Sequence, residues 1–172
     1  MNKEELYQEA RALMLKWYGQ QMIDTPGACL YWTQVAMNIL HRRGERVIFQ
    51  AGTMLWPCLN DDHGDRPTHF GYEWTPDEPF SKQALAMGQL PEVHMWAALP
   101  DRGEIVDFST AGFKRIAKEH HGLPWETPDP PLYIWGQPPE RTLYKPIKEA
   151  IVFMLRWIVR KQLTDYQEHA HV

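Results

Sequence analysis

The spacing of apolar positions divides the chain into a short series of elements. Over residues 3–18, Leu6, Ala10, Leu13, Met14 and Trp17 recur at helical intervals among Lys, Glu, Gln and Arg, which predicts an amphipathic helix burying that stripe. Residues 26–43 place Cys29, Trp32, Ala36, Met37 and Leu40 on one stripe, and Leu30, Val35 and Ile39 fill much of the remaining circumference. A helix apolar on so many sides is expected at the centre of the molecule. Its start is predicted with Thr25 as N-cap and Pro26 at the first helical position. Arg42-Arg43-Gly44 supplies the cations and glycine that suit its end.

Beyond residue 46 the period changes. Val47–Trp56 has strand composition and Pro57 ends it, and Thr68–Trp74 reads as a second strand beyond a polar loop at 59–67. Between Val93 and Ser109, two apolar runs flank Pro100-Asp101-Arg102-Gly103, a turn with proline early and glycine late, which predicts a hairpin. Short helices are expected over 79–87 and 114–121. A final amphipathic helix over about 146–163 is expected to bury Ile147, Ile151, Met154, Leu155, Ile158 and Val159. The stretch 122–146 holds seven of the fourteen prolines. It is expected to wrap irregularly over the body, packed through Trp125, Tyr133, Ile134 and Trp135. The order α-α-β-β-(α)-β-β-α-α, with hairpin-type strand links, predicts an α+β domain built on an antiparallel sheet.

Composition narrows the classes. A chain of 172 residues with 44% hydrophobic and 23% charged residues fits one soluble domain spanning 1–172. The formal charge of −4, without a run of Lys or Arg, gives no support to nucleic-acid binding. Cys29 and Cys58 are too few for a disulfide framework. The N-terminus lacks the apolar stretch of a signal peptide, and Ile151–Val159, broken by Arg156, is too short to span a bilayer. The expectation is a cytoplasmic protein with both thiols free and no membrane association.

Candidate chemistry centres on the hairpin. With the turn centred between Pro100 and Asp101, His94 faces Asp107; displaced by one residue, His94 faces Ser109 and Asp107 stays a diagonal neighbour on the same face. A half-step displacement would separate them. Far upstream, Cys29 falls in the first turn of its helix, where free N–H groups and the helix dipole favour a thiolate. Each residue alone has an ordinary reading: a small core Cys, a strand His with a satisfied hydrogen bond, an Asp capping a turn. Together a thiol, an imidazole and a carboxylate make a nucleophilic triad. Asp61, Asp62, His63, Asp65 and His69 lie in a Gly/Pro loop without a recognised ligand spacing, so no metal site is assigned and no cofactor is expected. His120, His121, His169 and His171 are expected to be exposed, and Cys58 is read as incidental.

The motifs Gly27-Ala-Cys29, His94-Met-Trp96 and Ile105-Val-Asp107-Phe-Ser-Thr110, in that order, resemble the transglutaminase-like branch of the papain-like thiol enzymes over roughly residues 25–110. The resemblance implies a buried Cys helix packed on a small antiparallel sheet, with a Cys29-His94-Asp107 site for acyl transfer at an amide of a peptide or protein. The acceptor would be water, as in a peptidase or amidase, or an amine, as in a transglutaminase. The glycine- and Arg-rich pattern of arylamine N-acetyltransferases has no counterpart around Cys29. An oxyanion hole of this kind combines the Cys backbone N–H with an upstream donor, for which Gln21 is the candidate and Gln20 the reserve. Trp32 and Trp96 are core residues by default and candidates for the substrate groove, with Trp96 placed to shield the thiolate–imidazolium pair. The rival reading is a catalytically inactive protein-binding module that keeps the same frame and uses 122–146 to hold a partner.

Overall fold

The computed structural model describes residues 2–60 and 68–169, with side chains described as far as Lys161. Helix α1 (Lys3–Tyr18) begins at Asn2, whose side-chain oxygen accepts hydrogen bonds from the N–H groups of Glu4 and Glu5, satisfying two donors that the helix itself cannot. It buries Leu6, Tyr7, Ala10 and Met14. Trp17, expected in the stripe, is 47% exposed: the helix turns its Tyr7–Met14 side to the core, and the last turn runs past it. Helix α2 (Ala28–Arg42) buries nine of its fifteen residues and is the central helix that its pattern predicts.

The strands are β1 (Ile48–Pro57), β2 (His69–Tyr72), β3 (His94–Leu99), β4 (Glu104–Asp107), β5 (Ile134–Gly136) and β6 (Leu143–Pro146). They form one antiparallel sheet in the order β2-β1-β3-β4-β5, and β6 pairs with β1 through Gly52–Leu55. Helix α3 (Pro79–Ala86) precedes the β3–β4 hairpin, α4 (Phe113–His121) follows it, and α5 (Lys148–His169) closes the chain. The fold is therefore α+β, as expected.

The proline-rich stretch departs from expectation by contributing two strands. Ile134-Trp135-Gly136 contains no proline, and Pro146 stands at the end of β6, so the pairings lose few donors.

The sheet register sorts the core. Ala97, Leu99 and Val106 pack with Leu6, Met14, Trp32 and Val35 of α1 and α2. Phe49, Ala51, Val93 and Met95 meet Ala150 and Met154 of α5. Met54, Trp56 and Phe70 pack with Phe113, Ile116 and Ala117 of α4, with Trp125 of the proline-rich stretch, and with Cys58. Helix α5 buries a narrower stripe than expected: Leu155 and Val159 are exposed, because Ala150 and Met154 define the side that meets β1. Among the described residues, no helix is long and apolar enough to cross a membrane. Cys29 and Cys58 are both buried, and neither forms a disulfide among the described residues.

Candidate active site

Residues 25–28 set the position of the thiol. The Ala28 N–H donates to the Thr25 carbonyl at 3.0 Å, and Gly27 has φ +83° and ψ −5°. Proline second and a positive-φ glycine third make this a type II turn. Helix α2 accordingly starts at Ala28. Thr25 is not its N-cap and Pro26 is not its first residue; the Thr25 hydroxyl donates instead to the Pro26 carbonyl. Cys29 becomes the second helical residue, where the backbone N–H has no intrahelical acceptor and the helix dipole is positive.

The hairpin supplies the other two groups. Its register pairs Ala97 with Val106, Ala98 with Ile105 and Leu99 with Glu104. Continued outward, that register sets Trp96 opposite Asp107 and His94 opposite Ser109, the displaced of the two productive registers. Asp107 reaches back along the diagonal, and its Oδ2 lies 2.7 Å from His94 Nε2.

Asp107 is fully occupied. Its Oδ2 also accepts from the Tyr144 hydroxyl at 2.8 Å, while Oδ1 accepts from the Ser109 N–H at 2.9 Å and the Ser109 hydroxyl at 2.7 Å. Burial opposes its ionisation, but His94 and the Ser109 donors outweigh that penalty and hold its pKa below the usual carboxylate value. An ionised carboxylate only accepts, so His94 Nε2 carries a proton and donates it to Asp107. This leaves Nδ1 as the nitrogen not engaged by the carboxylate. Nδ1 is buried and has no hydrogen-bond partner among the described residues.

The imidazole is enclosed by rings. Tyr72 and Trp96 lie nearly parallel to it at 6.0 and 6.1 Å, and Phe113 and Tyr144 meet it edge-on at 5.4 and 5.9 Å. Such burial disfavours the imidazolium, but the Asp107 charge and hydrogen bond, with a further contribution from hydrogen bonding and charge at Cys29, raise the His94 pKa to about 10.

Cys29 and His94 line one small cavity of about 10 Å³, with Tyr72, Ser109, Asp24 and Thr25 around it. That is close to the room needed for a single water. Cys29 and Tyr72 also line a second, larger cavity of about 310 Å³. The Tyr72 hydroxyl is kept protonated by burial and by the negative charges of Cys29 and Glu92.

The residues proposed for the groove fall elsewhere. Gln21 is exposed within a 3-10 turn, Gln20–Met22; its side-chain amide folds back over Gly19, and neither Gln20 nor Gln21 lines either cavity. Trp32 is turned away from the thiol into the core, where its indole N–H donates to the Ile23 carbonyl at 2.9 Å and braces the segment leading to Cys29. Trp96 is not in a groove either; it stacks on His94 and packs edge-on against Tyr144 at 5.2 Å, a shielding position. Asp61, Asp62, His63 and Asp65 lie outside the described residues, and His69 shares a 2.8 Å hydrogen bond with Thr68. Among the described residues no group of three metal-ligating side chains converges. His120 and His121 are exposed on α4, whereas the His169 side chain and His171 lie outside the described set.

Tyr144 and Tyr72 escaped the sequence reading. Tyr144 sits where proline spacing obscures a strand. Tyr72 carried a usable signal, since Phe70 and Tyr72 alternate within a predicted strand and therefore share a face. Comparison of the chain with family models, curated proteins and solved structures finds no match.

Proposed function

We propose that the protein is a cysteine-dependent acyl-transfer enzyme on a transglutaminase-like, papain-like frame, acting on an amide through a covalent thioester. The observation that carries this reading is the His94 imidazole. One nitrogen is held by a saturated carboxylate, and the other is buried, makes no regular hydrogen bond, and shares a cavity with Cys29, the other residue that acts on the ring. A core histidine with a merely structural role would use both nitrogens or expose one.

In the proposed cycle the Cys29 thiolate attacks the carbonyl carbon. The Cys29 backbone N–H, free in the first turn of α2, donates to the developing oxyanion. His94 Nδ1–H protonates the departing amine, and the neutral imidazole then takes a proton from the incoming water or amine as the thioester is resolved. Asp107 holds the ring and balances the imidazolium charge.

The test is alkylation of Cys29 by iodoacetamide across pH in a Cys58→Ala background, with and without His94→Ala. At about pH 6 the His94→Ala protein should react more slowly by on the order of tenfold or more, because the imidazolium partner of the thiolate is gone. Equal rates in the two proteins would remove the basis for an active thiol and leave the frame as a binding module.

A further inference from the structure

We infer that the 310 Å³ cavity beside Cys29 receives the acyl group, and that this group is apolar and uncharged. The inference rests on Cys29 being the nucleophile, as proposed above. Cys29 is one of the residues in the cavity wall, so a chain seated there can bring its carbonyl carbon to the thiol.

The lining fits one chemistry. Leu30, Val93, Met95 and Met154 form buried apolar walls, Trp157 of α5 is partly buried, and Leu90 stands exposed at the rim. Apart from Cys29 itself, the described lining residues include one acidic side chain, Glu92, which is exposed, and no basic one. A carboxylate-bearing acyl group would lose its hydration against these walls and meet Glu92 at the entrance, with no cation in the lining to compensate. An apolar chain loses no hydrogen bonds on entry and removes its own surface and that of the walls from water. The volume of about 310 Å³ stands at the lower end of small-molecule sites, which suits a short acyl chain. Two of the walls are methionines, whose flexible thioethers adapt to chains of different shape.

The Cys29–His94 cavity has a separate role. A cavity near 10 Å³ does not admit an acyl chain, so the two cavities that share Cys29 divide the work: acyl group in the larger space, proton transfer in the smaller.

The experiment uses the full chain and p-nitrophenyl esters of acetate, butyrate, hexanoate and succinate. In each, Cys29 Sγ bonds to the carbonyl carbon, the C–O bond breaks, and p-nitrophenolate leaves with the electron pair. The acyl-Cys29 product is located by peptide mass spectrometry, and rates are normalised to those of each ester with a small free thiol. Burial of each methylene is worth up to roughly fourfold in rate, so hexanoyl transfer should exceed acetyl transfer by at least tenfold, and succinyl should fall at least tenfold below butyryl. Leu90→Glu, a substitution at an exposed rim position, should flatten the chain-length dependence.

Acylation of Cys29 at rates independent of chain length and charge would overturn the acyl-cavity assignment while leaving the nucleophile in place. An unchanged profile in Leu90→Glu would overturn it equally, by showing the preference to arise elsewhere. No acylation of Cys29 by any ester, acetyl included, would overturn the nucleophile reading and this inference with it.

Discussion

Tyr144 and His94 share a single oxygen. The phenol hydroxyl and the imidazole Nε2 reach Asp107 Oδ2 at 2.8 and 2.7 Å, from strands β6 and β3. Because Oδ1 is taken by Ser109, the carboxylate cannot rotate toward another partner without losing a bond. The ring presented to Cys29 is thereby held by three separate parts of the chain.

Replacing Tyr144 with Phe removes one donor and keeps the ring packing against His94 and Trp96. A hydrogen bond to a charged group contributes about 1.5–3 kcal/mol, so urea unfolding should show a loss in that range. With one donor fewer, the carboxylate is more readily protonated, and the acid limb of the stability profile should move to higher pH. A neutral substitution with an unmoved acid limb would show that the hydroxyl does not hold Asp107.

Asp107→Asn tests what keeps His94 charged. Burial alone lowers the His94 pKa, and the carboxylate charge and hydrogen bond reverse that effect. In the native protein the ring carbons should report an imidazolium through neutral pH, with titration at about 10. In the variant, NMR should report a neutral ring at neutral pH. Breaking a buried pair from one side should also cost about 3–5 kcal/mol. A charged His94 in the Asn variant would assign its protonation to another partner.

Periodicity made α2 and the hairpin legible, because a helix apolar around most of its circumference and two runs about a Pro-Asp-Arg-Gly turn each admit few alternatives. It also brought Cys29, His94 and Asp107 together as candidates, since either of two registers leaves His94 and Asp107 on one face. The finer geometry depended on contacts distant in sequence. Nothing local to Leu143–Pro146 marks it as a strand; its pairing with β1 does, and with it comes Tyr144. Gln21 and Trp32 were read by analogy and by residue type, and neither carries information on which way a side chain points. The type II turn at Thr25–Ala28 was readable in principle, since Pro-Gly at its centre fits that turn better than a helix start.

The pair also predicts a window of pH dependence. The folded-state pKa of His94 lies above its unfolded value of 6.5, so its contribution is complete below about 6.5 and is lost as pH rises through about 10. Asp107 is lowered from 3.8, so its contribution is present above about 3.8 and lost as pH falls through its folded value. Between about 3.8 and about 6.5 the pair's contribution should be flat. The difference in urea midpoint between the native protein and His94→Gln should stay constant across the mildly acidic range and shrink on the alkaline side. A difference that grows with pH would contradict the raised pKa.

Gly52 connects the back of the sheet to this network. A Cβ there would lie 2.2 Å from the Lys145 carbonyl oxygen and 2.8 Å from the Ile147 nitrogen, both backbone atoms. The Ile147 N–H donates to the Ala51 carbonyl at 2.9 Å, and Gly52 pairs with Pro146, so the close approach is part of how β6 joins β1. Gly52→Ala should push β6 outward, at about 1–3 kcal/mol for the overpacking itself. Since Tyr144 rides on β6, the same displacement should draw its hydroxyl from Asp107. The Gly52→Ala, Tyr144→Phe double variant should therefore be less destabilised than the two single losses added together, because both remove one hydrogen bond. Urea unfolding of the four proteins gives the coupling directly. Additive losses would mean that β6 moves without disturbing the Tyr144–Asp107 bond, and that Gly52 serves the sheet alone.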